Sequence, residues 1–278
     1  MTADLLARSN AHWSEDGRRG MEAFYTLATG DYRHLAEARD WARWLGDAQD
    51  RAGRPLRLLD VACGSGKFPT ALVAHAGVGG GRVHPVATDL LDPSAFSIAE
   101  ARAALPAPFM PAAEHETTLQ DFTPPPDGYD IVWAVHALYA VPAQDLPLAA
   151  ERFLASIGPG GRGVIAHSAA AGHYIAFHRL FLSEFGQGAT PYVSAEMLAR
   201  ALRAAGARVE VTEVAYDSAA GPDDAAAVEG YLQRCVFDDS VSLAAMQAAP
   251  ALGRYLDGCR AAAGWRFPQV VHLIDVTA

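Results

Sequence analysis

Short apolar runs alternate with alanine-rich helical stretches between about residues 55 and 168. The runs read LRLLDVA, RVHPVATD, YDIVWAVH and RGVIAHS, and each is bounded by Gly, Pro or Asp. Strands that alternate with helices favour a parallel sheet that is covered on both faces. The pattern therefore predicts an α/β fold built on a doubly wound sheet.

The residues before this region follow a helical pattern instead. Leu35, Ala38, Trp41 and Leu45 recur at spacings of three and four residues until DRAGRP interrupts them. We predict a helical N-terminal preface over residues 1–54 and a main domain over residues 55–278.

Aromatic residues mark a second helical segment after the run RGVIAHS. In residues 173–186, Tyr174 and Phe177 lie on one predicted face, which indicates an inserted lid at about residues 170–192. The sheet pattern resumes with RVEVTEV and ends with QVVHLIDVTA, which is apolar enough to form a buried last strand.

Charge and cysteine content restrict the classes of partner. The formal net charge is −10 and the pI is about 5.4, so nothing favours a nucleic acid or an anionic membrane as the partner. The three cysteines are far apart in the sequence, and no apolar run reaches about 18 residues. We expect a cytoplasmic protein with no nucleic-acid or membrane partner.

The stretch LLDVACGSGKF, residues 58–68, turns through two glycines where the first strand should end. Ligands of doubly wound sheets bind at such turns. A phosphate-binding P-loop is excluded because Val61 and Phe68 occupy two of its required positions. The dinucleotide pattern G-x-G-x-x-G fails because its third glycine is Pro69.

The same stretch resembles the first motif of the class I S-adenosylmethionine-dependent methyltransferases, D-x-x-C-G-x-G. Matching or flanking positions, and hence implied cofactor-binding residues, are Asp60, Ala62, Cys63, Gly64 and Gly66. A carboxylate suits a cofactor that carries an ammonium and a sulfonium group. The resemblance implies S-adenosylmethionine as cofactor, S-adenosylhomocysteine as product, and a Rossmann-like seven-stranded sheet whose last strand is reversed. The alternative is that these residues form an ordinary strand-to-helix turn that binds no ligand.

Further cofactor contacts follow from the same resemblance. Asp89, after the second run, would bind the ribose hydroxyls, and Leu90 would flank the adenine. Asp121 and Phe122 would bind the adenine amino group and cover the ring, although Asp121 also fits a plain loop residue. Ala134, in the fourth strand, completes the implied set.

The methyl acceptor should lie beyond the fourth strand, where the sequence reads WAVHALYAVP. His136 and Tyr139 are the candidate catalytic residues there. A histidine can act as a general base near neutral pH, and it can equally form part of the pocket wall. The N-P-P-Y signature of base-modifying and glutamine-modifying members is absent.

Several other aromatic and histidine residues are candidates for the substrate side. They are Tyr25 from the preface and His167, Tyr174, Phe177 and His178 near the lid. The segments HALYAV and GVIAHSAAAG and the aromatic helix that follows are loosely similar to histamine-methyltransferase-like small-molecule enzymes. No metal site is expected, because His173 and His178 are five residues apart and do not share a helix face.

The sequence favours an enzyme that transfers a methyl group from S-adenosylmethionine to an N, O or C atom of a small, partly apolar molecule, in specialised biosynthesis. One alternative keeps the cofactor fold but promotes ring closure on a sulfonium-bearing intermediate. Another is a protein that binds the cofactor without catalysis. The acceptor and the oligomeric state stay open.

Overall fold

One mixed sheet organises the computed structural model, which describes residues 3–186 and 190–277. Its strands in the described chain are β1 Leu56–Val61, β2 Val86–Asp92, β3 Phe109–Glu116, β4 Tyr129–Val135, β5 Ile157–Ser168, β6 Arg208–Ala220, β7 Arg260–Ala261 and β8 Gly264–Thr277. The spatial order is β3-β2-β1-β4-β5-β8-β6, and the two-residue β7 pairs with β8.

Strands β1 to β5 run parallel to one another, whereas β8 is antiparallel to both β5 and β6. The strand order reverses at β1, next to β4, which places the ends of these two strands at a switch point where ligands of such sheets bind. The predicted Rossmann-like sheet with a reversed last strand is confirmed.

Helices cover both faces of the sheet. They are α1 Ala3–His12, α2 Arg18–Glu37, α3 Trp41–Ala52, α4 Lys67–His75, α5 Ala95–Ala104, α6 Leu146–Ser156, α7 His173–Phe185, α8 Ala195–Ala204, α9 Ala225–Arg234, α10 Leu243–Ala248 and α11 Pro250–Gly258, with a short 3₁₀ turn at Ala143–Asp145. None of the described helices has the length and apolar character needed to cross a lipid bilayer.

Strand β4 shows how the sheet divides the core. Ile131 and Trp133 pack on one face with α3 and α4, and Val132 and Ala134 pack on the other with α6 and α8. All four side chains are fully buried. Successive side chains of this central strand point to opposite faces of the sheet, so β4 contributes to both cores. This explains why its sequence is a continuous apolar run.

A third core joins the N-terminal preface to the segments around the lid. Leu27 and Ala28 of α2 pack with Phe177 of α7 and with Val228 and Leu232 of α9. These helices form a cap over one end of the sheet. The division at residue 54 stays a prediction; in the structure, α2 shares its core with helices from the second half of the chain.

The structure corrects the sequence prediction at two strands, β2 and β3. Strand β2 continues past Asp89 to Asp92, and β3, at the edge of the sheet, was not predicted at all. The lid helix is α7, His173–Phe185, while residues 187–189 of the predicted insert lie outside the described chain. The missed strand FMPAAEHE carries few large apolar residues because most of it faces solvent.

Candidate active site

A cavity lies at the carboxyl ends of β1, β2 and β4 and is closed by helices of the cap. Its sheet side is formed by residues after the strands, namely Asp60–Ser65, Leu91–Pro93, Thr118–Gln120 and Val135–Val141. Its helical side carries Trp13, Phe24, Tyr25, Asp31, Tyr32, Tyr174, Tyr192, Arg234 and Phe237. A polar, acidic side therefore faces a mainly aromatic one.

The glycine turn after β1 has two distinct reasons for its glycines. Gly64 has φ +52°, a conformation that favours glycine, and its N–H donates to Asp92 Oδ2 at 3.1 Å. Gly66 has φ +67°, and a Cβ there would lie 3.2 Å from backbone atoms of Ala101 in α5. Gly64 therefore borders the cavity, whereas Gly66, which does not line it, allows α4 and α5 to approach closely.

Two buried carboxylates face the cavity from the sheet side. Asp60 is 5% exposed, and its Oδ2 has no hydrogen-bond partner among the described residues. Asp92 accepts backbone hydrogen bonds from Gly64 and from Ser94, the latter at 2.9 Å. Burial raises the pKa of Asp60 to about 7 and that of Asp92 to about 6. Both groups thus favour a ligand that donates hydrogen bonds or carries positive charge.

The acid predicted for the ribose contact, Asp89, lies outside the cavity. It sits three residues before the end of β2, roughly 10 Å back along the strand. Its carboxylate accepts hydrogen bonds from the Ala113 N–H at 3.0 Å and the Tyr129 hydroxyl at 2.8 Å. The acid at the strand end is Asp92, so the proposed ribose contact moves to Asp92.

Besides Asp89 and Gly66, four predicted cofactor residues do not line the cavity. Leu90 and Ala134 are fully buried within the cores of the sheet. Asp121 is exposed and accepts a hydrogen bond from Thr118 at 2.8 Å, while Phe122 is buried against the His115 ring. The residues of this loop that reach the cavity are Thr118, Leu119 and Gln120. Asp60, Ala62, Cys63 and Gly64 do line it as predicted.

The predicted catalytic pair is brought together after β4. The Tyr139 hydroxyl lies 2.7 Å from His136 Nδ1, and both residues line the cavity. The other ring nitrogen, His136 Nε2, is buried without a partner among the described residues. Burial, with a smaller effect of His167, lowers the pKa of His136 to about 3, so the ring is neutral at physiological pH.

Of the predicted substrate residues, Tyr25 and Tyr174 line the cavity. The Tyr25 hydroxyl accepts a hydrogen bond from Ser65 at 3.1 Å, which joins α2 to the glycine turn. The other three lie behind the wall: Phe177 packs in the cap core, His178 stacks on Tyr192, and His167 stacks beneath Tyr139. Helical spacing identified the apolar face of α7 correctly, but that face packs mainly against the cap.

Asp31 of α2 is a cavity residue that the sequence prediction missed. It is 2% exposed and accepts hydrogen bonds from the hydroxyls of Tyr174 and Ser218, the latter at 3.1 Å. Burial raises its pKa to about 7. From sequence alone, an acidic residue in a helix is normally predicted to face solvent. The burial of Asp31 becomes apparent only from its contacts with α7 and β6.

Arg234, at the end of α9, is a second missed residue. Its guanidinium donates to the carbonyl oxygens of His12 at 2.6 Å and Gly17 at 2.7 Å, and it lies 5.2 Å from the Trp13 ring. These contacts hold the end of α1 over the cavity, where Trp13 forms part of the wall. Because the contacts go to backbone atoms, no sequence pattern could have revealed them.

Non-glycine residues with positive φ are concentrated at this site. Ala62, His136 and Phe237 have φ values of +50°, +52° and +49°, and all three line the cavity. Such backbone conformations cost about 1 kcal/mol or more each and persist only where the surrounding structure imposes them. Their common location supports a functional role for the cavity.

Comparison with known protein families identifies the family of this chain. The methyltransferase domain family matches residues 32–211, which is more than half of the chain. The chain belongs to the methyltransferase domain family. The predicted membership of the class I S-adenosylmethionine-dependent methyltransferases is thereby confirmed. A comparison with curated protein sequences gives no match.

Solved structures share the fold of this methyltransferase at low sequence identity. Magnesium protoporphyrin IX methyltransferase from Synechocystis PCC 6803, with bound S-adenosylhomocysteine, superposes with a TM-score of 0.55 at 11% identity over 97% of both chains. The same enzyme with bound S-adenosylmethionine gives 0.52 at 10% identity, over 97% of this chain and 95% of its own. A candidate methyltransferase from Bacillus halodurans C-125 gives 0.52 at 13% identity, over 84% and 97%.

Proposed function

We propose that this methyltransferase transfers a methyl group from S-adenosylmethionine to an N, O or C atom of a small, partly apolar molecule in specialised biosynthesis. The observation that supports this most directly is the two-sided cavity. Its sheet side offers the buried carboxylates Asp60 and Asp92 beside the glycine turn. Its helical side offers aromatic rings with few polar groups, as expected of a pocket for an apolar ligand.

The residues on the sheet side fit S-adenosylmethionine. Asp60 has a buried oxygen without a partner, which suits the ammonium group of the cofactor. Asp92, at the end of β2, suits the ribose hydroxyls, because it retains acceptor capacity beside its two backbone bonds. When bound, the cofactor supplies an electrophilic methyl group on its sulfonium.

The chain's own contribution is to orient the acceptor and exclude water. Tyr25, Tyr32 and Tyr174 present rings from α2 and α7, and Trp13, directly after α1, closes the cavity. Methyl transfer is an in-line displacement, so alignment of donor and acceptor supplies most of the rate enhancement. We assign His136 and Tyr139 to the acceptor side, since they follow β4 between the two sides of the cavity.

Product analysis tests this function. The protein is incubated with S-adenosylmethionine labelled with ¹³C on its methyl group and a set of small aromatic amines, phenols and 1,3-dicarbonyl compounds. We expect S-adenosylhomocysteine and one product that is heavier by a single labelled methyl group. A product of unchanged mass would support ring closure instead. Tight cofactor binding without any turnover across the set would support a binding protein.

A further inference from the structure

Hydrogen-bond partners determine which nitrogen of His136 carries the proton. The Tyr139 hydroxyl oxygen lies 2.7 Å from His136 Nδ1 and accepts the Ser168 N–H at 3.3 Å. Among residues 3–186 and 190–277, His136 Nδ1 is the sole acceptor within hydrogen-bond distance of that hydroxyl. A buried hydroxyl proton needs an acceptor. Tyr139 therefore donates to Nδ1.

A neutral imidazole that accepts at Nδ1 carries its hydrogen on Nε2. His136 is therefore a donor at Nε2, and this atom is buried with no acceptor in the described part of the chain. Leaving a buried N–H unpaired is costly, and such groups are rare in native proteins. His136 is one of the residues that line the ligand cavity, so we infer that a bound molecule supplies the acceptor.

The surroundings of the ring assign this donor to the methyl acceptor and not to the cofactor. The ring lies 5.9 Å from Tyr32 and 5.8 Å from Tyr174, both edge-on, and these tyrosines belong to the helical side. Asp60 and Asp92, the carboxylates that we propose contact the cofactor, lie on the sheet side near the turn after β1. The backbone N–H of His136 donates to the Ala166 carbonyl at 2.8 Å. This bond holds the strained backbone of His136 in place.

We propose that His136 donates an Nε2–H hydrogen bond to the methyl acceptor, and that the site selects acceptors with a carbonyl or carboxylate oxygen close to the methylated atom. This inference rests on the proposed methyltransferase function. It replaces the general-base role, because Nε2 already carries a proton and Nδ1 is occupied by the Tyr139 hydroxyl. Tyr139 is the positioning residue that fixes the tautomer, supported by the Ser168 N–H.

Nitrogen NMR tests the tautomer directly. In protein with ¹⁵N-labelled histidine, the His136 signals are assigned by their loss in His136→Phe and, separately, in His136→Gln. We expect a neutral Nε2–H ring between pH 5.5 and 8.5. Tyr139→Phe should produce a mixture of tautomers. The matched variant Tyr192→Phe, which removes another cavity hydroxyl that has no partner in the described chain, should leave the tautomer unchanged. An Nδ1–H ring, or one that titrates near neutrality, would overturn the proposal.

Two probes with the same carbon skeleton test what the donor recognises. With saturating S-adenosylhomocysteine present, acetophenone offers a carbonyl oxygen and 1-phenylethylammonium offers only donors. We expect acetophenone to shift the His136 Nε2–H resonance and to bind roughly tenfold more weakly to His136→Phe, as loss of one hydrogen bond predicts. The ammonium probe should show neither effect. Equal responses to the two probes, or no response to either, would overturn the selection of an oxygen acceptor.

Calorimetry with S-adenosylhomocysteine separates this inference from the function on which it rests. The wild type and His136→Phe should bind it with affinities within about threefold of each other, because the ring serves the other side of the cavity. Failure of the wild type to bind would contradict the methyltransferase function. Normal binding with a wrong tautomer would contradict only the role of His136.

Discussion

Asp60 and Asp92 are both carboxylates buried at strand ends, and burial dominates the pKa of each. No cation forms an ion pair with either within the described chain. Burying such a group costs several kcal/mol unless hydrogen bonds or a counter-charge offset it. A cofactor that brings an ammonium and two ribose hydroxyls would offset that cost on binding, so we expect these residues to be the main determinants of affinity on the sheet side.

Substitution at the end of β2 tests this view. Asp92→Asn should weaken S-adenosylhomocysteine binding roughly 10- to 100-fold, because it removes a charge-assisted acceptor. Asp89→Asn, in the same strand but outside the cavity, should change the affinity by less than about threefold. Calorimetry on folded variants measures both. A larger loss for Asp89→Asn than for Asp92→Asn would return the ribose contact to Asp89.

The residues of the site differed in how far the sequence could reveal them. Asp60 and Gly64 belong to a compact local motif, and His136 follows a strand end that the apolar run YDIVWAVH marks clearly. Asp92 was missed because the prediction ended β2 at the first acid of ATDLLD, although Pro93 marks the true end. Asp31 could not be predicted, because its burial depends on contacts with residues more than 140 positions away.

Helix α1 acts as a cover whose attachment can be tested at Arg234. Arg234→Gln should lose the hydrogen bonds to His12 and Gly17 and leave their carbonyls without this partner. We expect faster amide exchange in residues 5–17 and faster dissociation of S-adenosylhomocysteine, because α1 closes the cavity. Hydrogen exchange with mass analysis and a stopped-flow dissociation assay measure the two effects.

Arg18→Gln provides the matched control for this element. Arg18 forms partly exposed ion pairs with Glu15 and Glu100 near the same segment. Exposed pairs of this kind contribute little to stability because water screens them. The control should therefore leave exchange in α1 close to that of the wild type. Equal exchange in Arg234→Gln and the wild type would mean that α1 is held by its other contacts instead, among them the ion pair of Arg8 with Asp238 and apolar packing.

Elements were predictable where local periodicity is strong. The central strands β1 and β4 and the lid helix α7 were recognised, because burial on two faces or on one stripe leaves a clear pattern. The edge strand β3 was missed since its mostly exposed surface carries no apolar run. The packing of α2 against α7 and α9 joins distant parts of the chain, which no local pattern encodes.

Buried histidines and buried carboxylates make the stability of the fold depend on pH in opposite directions. Burial lowers the pKa of His136 and His173 to about 3, so unfolding gains protons and stability falls as pH drops below about 6.5. Burial raises the pKa of Asp31 and Asp60 to about 7, above their unfolded values. The native state then holds protons that the unfolded chain has lost, so this contribution declines as pH rises from about 4 to 7.

Asp31→Asn isolates the carboxylate contribution. The neutral side chain cannot ionise, so the variant avoids the cost of a buried charge that the wild type incurs above pH 7. The free energy of unfolding of the variant minus that of the wild type should be larger by roughly 2 kcal/mol at pH 8 than at pH 5, so the variant gains relative stability as the pH rises. Urea unfolding at the two pH values measures this. The same difference at both pH values would show that Asp31 does not titrate in this range.

Strands β3 and β6 form the two edges of the sheet, where strands of another copy of the chain could pair. An unpaired edge can template intermolecular strand addition, the first step of aggregation. Strand β3 carries Pro111, which lacks an N–H, together with exposed Glu114 and Glu116, and β6 carries exposed Glu210 and Glu213. With a net charge of −10 on each chain, edge-to-edge pairing would bring like charges together. We therefore expect concentrated solutions of the folded protein to resist fibre formation, because the two edge strands disfavour pairing with another copy.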